Sequence, residues 1–397
     1  MKRTLRWATA NTAILAMLTG CSQATEVSTA ELAQIVERDG VPFAVQSIPD
    51  EILDRLASYS VVVVGETHFL REHRELMAEL VRDLHSRGFR QFLFEWAQMA
   101  DWLLADFVED RGLEPDWEPP ASIGGDMIAA IRDFNRSLPE NERLQVHAID
   151  VNLQDYGGGE SFLYSMGALA RHLDTPGPLP AFLQGDYDTP EGQTERLETL
   201  RGELEARRSD LIASWGEYWY DTVVEMVEVE RTSVPIRALR EDRYDLSVRM
   251  REDVIKRIAD LRLDGYAHRT LINIGGNHAQ KKYLKGTEQE WLGDYLVHTS
   301  QATGGSVIVL VVTAARITPD AGSTIPDYDL EASPENEIFR LMNETWPDQI
   351  VFLPVDDPLF LTGRVPMNFE GTIYVGAPKQ YYDVFLLLPL APRVPLP

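Results

Sequence analysis

The sequence predicts an α/β protein of three layers: a mainly parallel central sheet flanked by helices, with a helical insertion. Two observations carry that reading. Short apolar runs rich in β-branched or aromatic residues recur along the chain, separated by stretches of helical spacing. Four of these runs end abruptly in a carboxylate or a histidine, the pattern expected where parallel strands deliver polar groups to one edge of a sheet.

The chain opens MKRTLRWATANTAILAMLTGCSQ. Lys2, Arg3 and Arg6 form a basic n-region, and Ala8 to Gly20 is an apolar run too short to span a bilayer, as in a secretory signal. Leu18-Thr19-Gly20-Cys21 reads as a lipobox, with cleavage before Cys21 and lipid attached to it. Cys21 is the only cysteine, so no internal disulfide forms. The expected layout is a signal peptide at 1–20, a tether with one short helix at 21–50, and a single α/β catalytic-type domain at 51–397. A helical insertion is expected at about 174–262. Such a protein sits in the cell envelope on a lipid anchor, and Ser22 after the cysteine favours the outer membrane, facing periplasm or exterior.

Removing residues 1–20 takes away three basic residues and no acidic one, moving the formal charge from −26 to −29. A chain this acidic excludes nucleic acid and anionic lipid as natural partners. Membrane contact is then through the lipid alone, and the partner is a small molecule or a peptide.

The first strong strand is Ser60 to Val64, which breaks into Gly65-Glu66-Thr67-His68. Leu76, Met77, Leu80, Val81 and Leu84 follow at helical spacing. The run Phe92-Leu93-Phe94 stops at Glu95, and Leu144 to Ile149 stops at Asp150. Residues 110–125 and 174–194 read as Pro- and Gly-rich loops, and 195–262 as mostly helix with a Trp215, Tyr218, Trp219, Val223 stripe suited to a core. Arg269 to Ile274 leads into Gly275-Gly276-Asn277-His278, and Ser306 to Thr313 is a further strand. Two more apolar runs, Ile350 to Leu353 and Val384 to Leu388, lie in the Pro-rich tail.

Each polar ending alone is an ordinary helix cap. Together they place Glu66, His68, Glu95, Asp150 and His278 on one rim, with two Gly-x-x-His sequences in a chain of eight histidines. Two histidines with carboxylates suit general acid/base work on water, or a divalent metal held by His68, His278 and Glu95. No Gly-x-Ser-x-Gly elbow, second cysteine, Walker loop or His-Glu-x-x-His is present, so activated water is favoured over a protein nucleophile.

The segments GETHFLREHRELMAELVRDLHSRGFRQFLFE, IRDFN, LQVHAIDVN, REDRYDLSV and INIGGNHAQKK resemble, in order, those of the superfamily joining erythromycin esterases, ChaN-like haem-uptake lipoproteins and the TraB/Tiki proteins. The resemblance runs over roughly 50–315. It implies a hydrolase in which His68 activates water with Glu66 and Glu95 as partners and His278 assists. Asp150, Arg240 and Asp242 would support them, with His73 and Asn277 nearby. No cofactor is required on that reading. The ChaN-like branch implies haem binding without turnover, and the Tiki branch a metal-dependent peptidase. The chain departs from the esterases at two places: Gly275 stands where they keep a histidine, and Met77 where they keep an arginine. Arg71 and Arg74 are the nearest replacement cations.

Overall fold

The computed structural model describes residues 26–68, 70–120, 124–185, 187–318, 328–329, 336–369, 372–389 and 391–392. The expected signal peptide, Cys21 and Ser22 lie outside the described residues. Among the described residues no helix is long and apolar enough to cross a membrane.

The centre of the fold is an eight-stranded sheet. Its strands are β1 (Val41–Phe43), β2 (Val61–Glu66), β3 (Phe89–Ala97), β4 (Gln145–Asp150), β5 (Arg269–Gly275), β6 (Val307–Ala314), β7 (Ile350–Pro354) and β8 (Val384–Leu388). Their spatial order is β1-β7-β8-β6-β2-β5-β3-β4. From β8 to β4 every pairing is parallel, and β7 alone runs antiparallel to both neighbours. The fold is the predicted α/β class.

The run of four valines follows from this position. Val62 and Val64 join the core on one face of the sheet, while Val61 and Val63 join the core on the other. A strand buried on both faces has no polar side to show, so it reads as a continuous apolar run instead of an alternating one. Burying each such side chain contributes about 1.5–3 kcal/mol. The two tail runs are sheet strands as well: β8 inserts between β6 and β7.

Within 174–262 the chain forms helices Leu179–Leu183, Pro190–Ala206, Arg208–Trp215, Glu217–Leu239 and Tyr244–Leu263. The last of these is a layer of the central unit, because Val254, Ile255, Ile258 and Ala259 pack in the same core as Ile272 and Ile274 of β5. The aromatic stripe is split. Trp215 and Val223 are buried as expected, whereas Tyr218 is half exposed.

Candidate active site

Register brings the polar strand ends together. Glu66 at the end of β2 pairs with Gly275 at the end of β5, and Ala97 of β3 pairs with Asp150 of β4. Glu95 does not follow its strand, as the sequence suggested, but lies inside it. The β3–β4 register shifts between Phe94 and Ala97, and such a bulge re-aims one side chain.

His68 Nδ1 lies 2.8 Å from Glu66 Oε1. The other oxygen of Glu66 accepts Asn273 Nδ2 at 3.0 Å and stands 3.0 Å from His73 Nε2, which also contacts Asn273 Oδ1 at 2.7 Å. His68 Nε2 turns toward Glu95 Oε2 at 4.0 Å, and nearly half of the His68 side chain is exposed (46%).

Glu95 is the centre of the arrangement. The Gly275 backbone N–H donates to its Oε2 at 2.5 Å, and Arg251 Nη2 donates to its Oε1. Arg251 also makes two parallel bonds to Asp150, Nε to Oδ1 at 2.9 Å and Nη2 to Oδ2 at 2.6 Å. On the far side His278 Nε2 stands 3.6 Å from Glu95 Oε1. His278 Nδ1 is bonded to Glu252, whose second oxygen accepts the Leu292 N–H at 2.6 Å. His278 packs edge-on against Trp291 with ring centres 5.3 Å apart.

Two Glu–His pairs therefore face one buried carboxylate, each with Nδ1 held by its glutamate and Nε2 directed at Glu95. The charges follow from this. Burial works against a charged His68, but Glu95 and Glu66 outweigh it and push the imidazole up to about 9. Burial likewise opposes ionisation of Glu95, yet His278, His68 and Arg251 hold it down at about 2. Glu66 is held well below the usual carboxylate range against its burial by bonds to His68 and His73. His278 is raised by Glu252 and Glu95 despite burial.

Of the residues named from sequence, Glu66, His68, His73, Glu95, Asp150 and His278 converge. Arg240 and Asp242 do not. Arg240 Nη2 bonds Asp155 at 2.7 Å, and Asp242 is exposed. They sit before the first turn of Tyr244–Leu263, whose rim-facing residues come later. Asn277 is the second residue of the short helix Gly276–Ala279, with its Oδ1 buried and unpaired. Met77 is fully buried in the core, and the buried Arg74 pairs with Asp126 at 3.5 Å while its charge also acts on Glu66. The cation comes instead from Arg251, which sequence reasoning missed together with Glu252 and Asn273. A signal existed: Arg251 and Glu252 sit one turn before Val254 and Ile255, interrupting an apolar stripe with charge.

The residues present do not suit a divalent metal. The oxygens of Glu95 are taken by Arg251 and a backbone N–H, and a guanidinium at the centre repels a second cation. Among the described residues no group of three His, Cys, Asp or Glu is arranged to hold a metal ion.

No family model and no curated protein matches the sequence. Solved structures do. A Bacillus cereus protein superposes with a TM-score of 0.66 at 14% identity, over 94% of this chain and 100% of its own. A histidine-to-asparagine variant of the erythromycin esterase EreC, in its open conformation, gives 0.63 at 16% identity over 94% and 98%. The fold is that of the erythromycin esterase. A succinoglycan biosynthesis protein shares it at 0.64 and 12% identity, over 92% and 98%. ChaN of Campylobacter jejuni, solved with cofacial haem, also matches, at 0.30 and 11% identity over 72% and 93%. The esterase-like architecture spans nearly the whole chain, so the rim lies within that fold's main body and not on an appended piece.

Proposed function

We propose that the protein is a hydrolase that activates water on the esterase-like rim and works from a lipid tether in the cell envelope. The observation that carries the catalytic part is the pair of Glu–His dyads turned toward Glu95. His68 Nε2 takes a proton from water, and the resulting hydroxide adds to the acyl carbon of a small-molecule or peptide substrate. His278, kept as an imidazolium by Glu252 and Glu95, gives its proton to the leaving group. Glu66 fixes the tautomer and orientation of His68. Arg251 fixes Glu95, so that the charge facing both imidazoles does not move.

A covalent protein nucleophile has no support at this rim. The hydroxyl of Thr67, between Glu66 and His68, is engaged with the Val312 carbonyl at 3.2 Å. The departures at Gly275 and Met77 set the substrate apart from the macrolide lactones that the resemblance would suggest.

The catalytic reading is tested by screening the purified protein against chromogenic acyl esters and peptides beside His68→Ala. Loss of about 10²–10⁴ in rate is expected. Equal hydrolysis by the variant would sink it. A Soret band that saturates on haem titration and vanishes in His68→Ala would transfer the site to haem binding. Anchoring is tested by Cys21→Ser, which should move the protein from membrane to soluble fractions.

A further inference from the structure

The N-terminal end of the folded body is fastened at one place. The Val27 N–H donates to the Arg364 carbonyl at 3.2 Å, and Glu26 bridges Arg364 in parallel. Val27 is 7% exposed and packs so closely on Gly363 that a Cβ there would not fit. The helix Thr29–Asp39 then buries Leu32, Ile35 and Val36 in the core. The chain therefore leaves the body toward Cys21 from beside Arg364.

Only Ser22 to Glu26 lie between Cys21 and Val27. At full extension the path from Cys21 to Glu26 spans at most about 18 Å. A folded chain of this length has a radius of gyration of roughly 21 Å, so its far side stands well beyond that reach. A lipid on Cys21 holds the surface around Arg364, and no opposite surface, close to the bilayer.

That surface differs from the rest of the chain. Residues 358–382 hold one acidic residue, Glu370, and two basic ones, Arg364 and Lys379, in a protein with 63 acidic residues among 397. The aspartates bounding the stretch are paired: Asp356 with Arg55 and Lys379, Asp357 with Arg38, and Asp383 with Lys281. Leu361, in the helix Pro358–Thr362 that follows β7, is 47% exposed, and Val375 is 45% exposed. Val375 pairs with Pro366 in the hairpin of Val365–Phe369 and Thr372–Gly376. Val365 and Met367 point into the core, so Arg364, Pro366 and Val375 share the outward face. Single exposed apolar side chains are ordinary. These two flank the residue on which the N-terminal segment is fastened.

We infer that the surface around Arg364 is a membrane-docking face, where Leu361 and Val375 enter the interfacial layer of a phospholipid bilayer and Arg364 reaches its phosphates. The inference rests on the lipid tether proposed above. With the tether in place the contact is intramolecular, so two half-exposed aliphatic side chains suffice to set an orientation, though they would not hold a free protein to the bilayer. The strong negative charge of the chain acts in the same sense, because it turns the more acidic surfaces away from the headgroup phosphates. Membrane contact expected through the lipid alone is thereby extended to the protein surface.

The test uses the full lipidated protein in phosphatidylcholine vesicles. Cys21 is the only cysteine and carries the lipid, so Leu361→Cys or Val375→Cys supplies one thiol for an environment-sensitive fluorophore. Leu261→Cys is the comparison, exposed on the helix Tyr244–Leu263, which packs on β4 at the opposite edge of the sheet from β1. Spin-labelled phosphatidylcholine should quench the probes at 361 and 375 by about twofold or more and leave the one at 261 unchanged. Protein that floats with the vesicles while 375 stays unquenched, or while all three positions quench equally, overturns the docking face and leaves the tether standing. Protein that does not float overturns the tether and the face with it. A Cys21→Ser protein that sediments as a dimer, and as a monomer once Leu361→Glu is added, assigns the face to a second copy and overturns the inference as well.

Discussion

A Cβ on Gly275 would stand 2.7 Å from His68 Nε2 and 3.0 Å from Glu95 Oε2. The imidazole of His68 therefore occupies the space that any side chain at 275 would need.

Gly275→Ala should displace His68 without unfolding the sheet. An ångström of misplacement costs about 10²-fold in rate, so kcat/KM should fall by that order. The His68 titration followed by NMR should also move down from about 9 as its carboxylate partners recede. A fully active Gly275→Ala enzyme would show that the close approach is incidental.

Arg251 is held by two buried carboxylates, so Arg251→Met leaves Glu95 and Asp150 facing each other without a cation. Removing one partner of a buried ion pair costs about 3–5 kcal/mol, to be read from urea unfolding. Arg240→Ala, which breaks only an exposed pair with Asp155, should change stability by about 0.5 kcal/mol or less and leave activity alone.

Glu252→Gln keeps the shape but removes the charge that raises His278. The His278 pKa should then fall, with Glu95 alone left to raise it, and substrates with poor leaving groups should slow by about 10². Substrates whose leaving group needs no proton should barely change. A uniform loss across both classes would assign His278 a merely structural place.

The pH dependence follows from the same groups. A base with a pKa of about 9 is mostly protonated at neutral pH, so kcat/KM should rise from neutral pH toward 9 and fall again where His278 loses its proton. Stability runs the other way. The raised His68 contributes fully below its ordinary 6.5 and loses that contribution as pH climbs through 9. The depressed Glu95 contributes above its ordinary 4.5 and loses that as pH falls toward 2. Denaturation midpoints across pH should show both slopes, with the alkaline one shallower in His68→Ala, where the raised His278 still contributes.

The strand ends were legible because burial on both faces leaves runs such as Val61 to Val64 nowhere polar to place except at the tip. Parallel pairing then fixes which tips meet, and Glu66, Asp150 and His278 could be gathered without a structure. The helix partners were not legible in the same way. Arg240 and Arg251 stand eleven positions apart in one charged segment, and only the docking angle of Tyr244–Leu263 on the sheet decides which reaches Asp150.

The sequence by itself determined the α/β class, the rim and the histidines on it, since periodicity and polar endings are local properties of the chain. Tertiary structure alone decided that Arg251 and not Arg240 is the rim's cation, and that Glu252 stands behind His278. It also decided that Gly275 is empty space reserved for His68. Those are distances between residues far apart in sequence, and no local pattern encodes them.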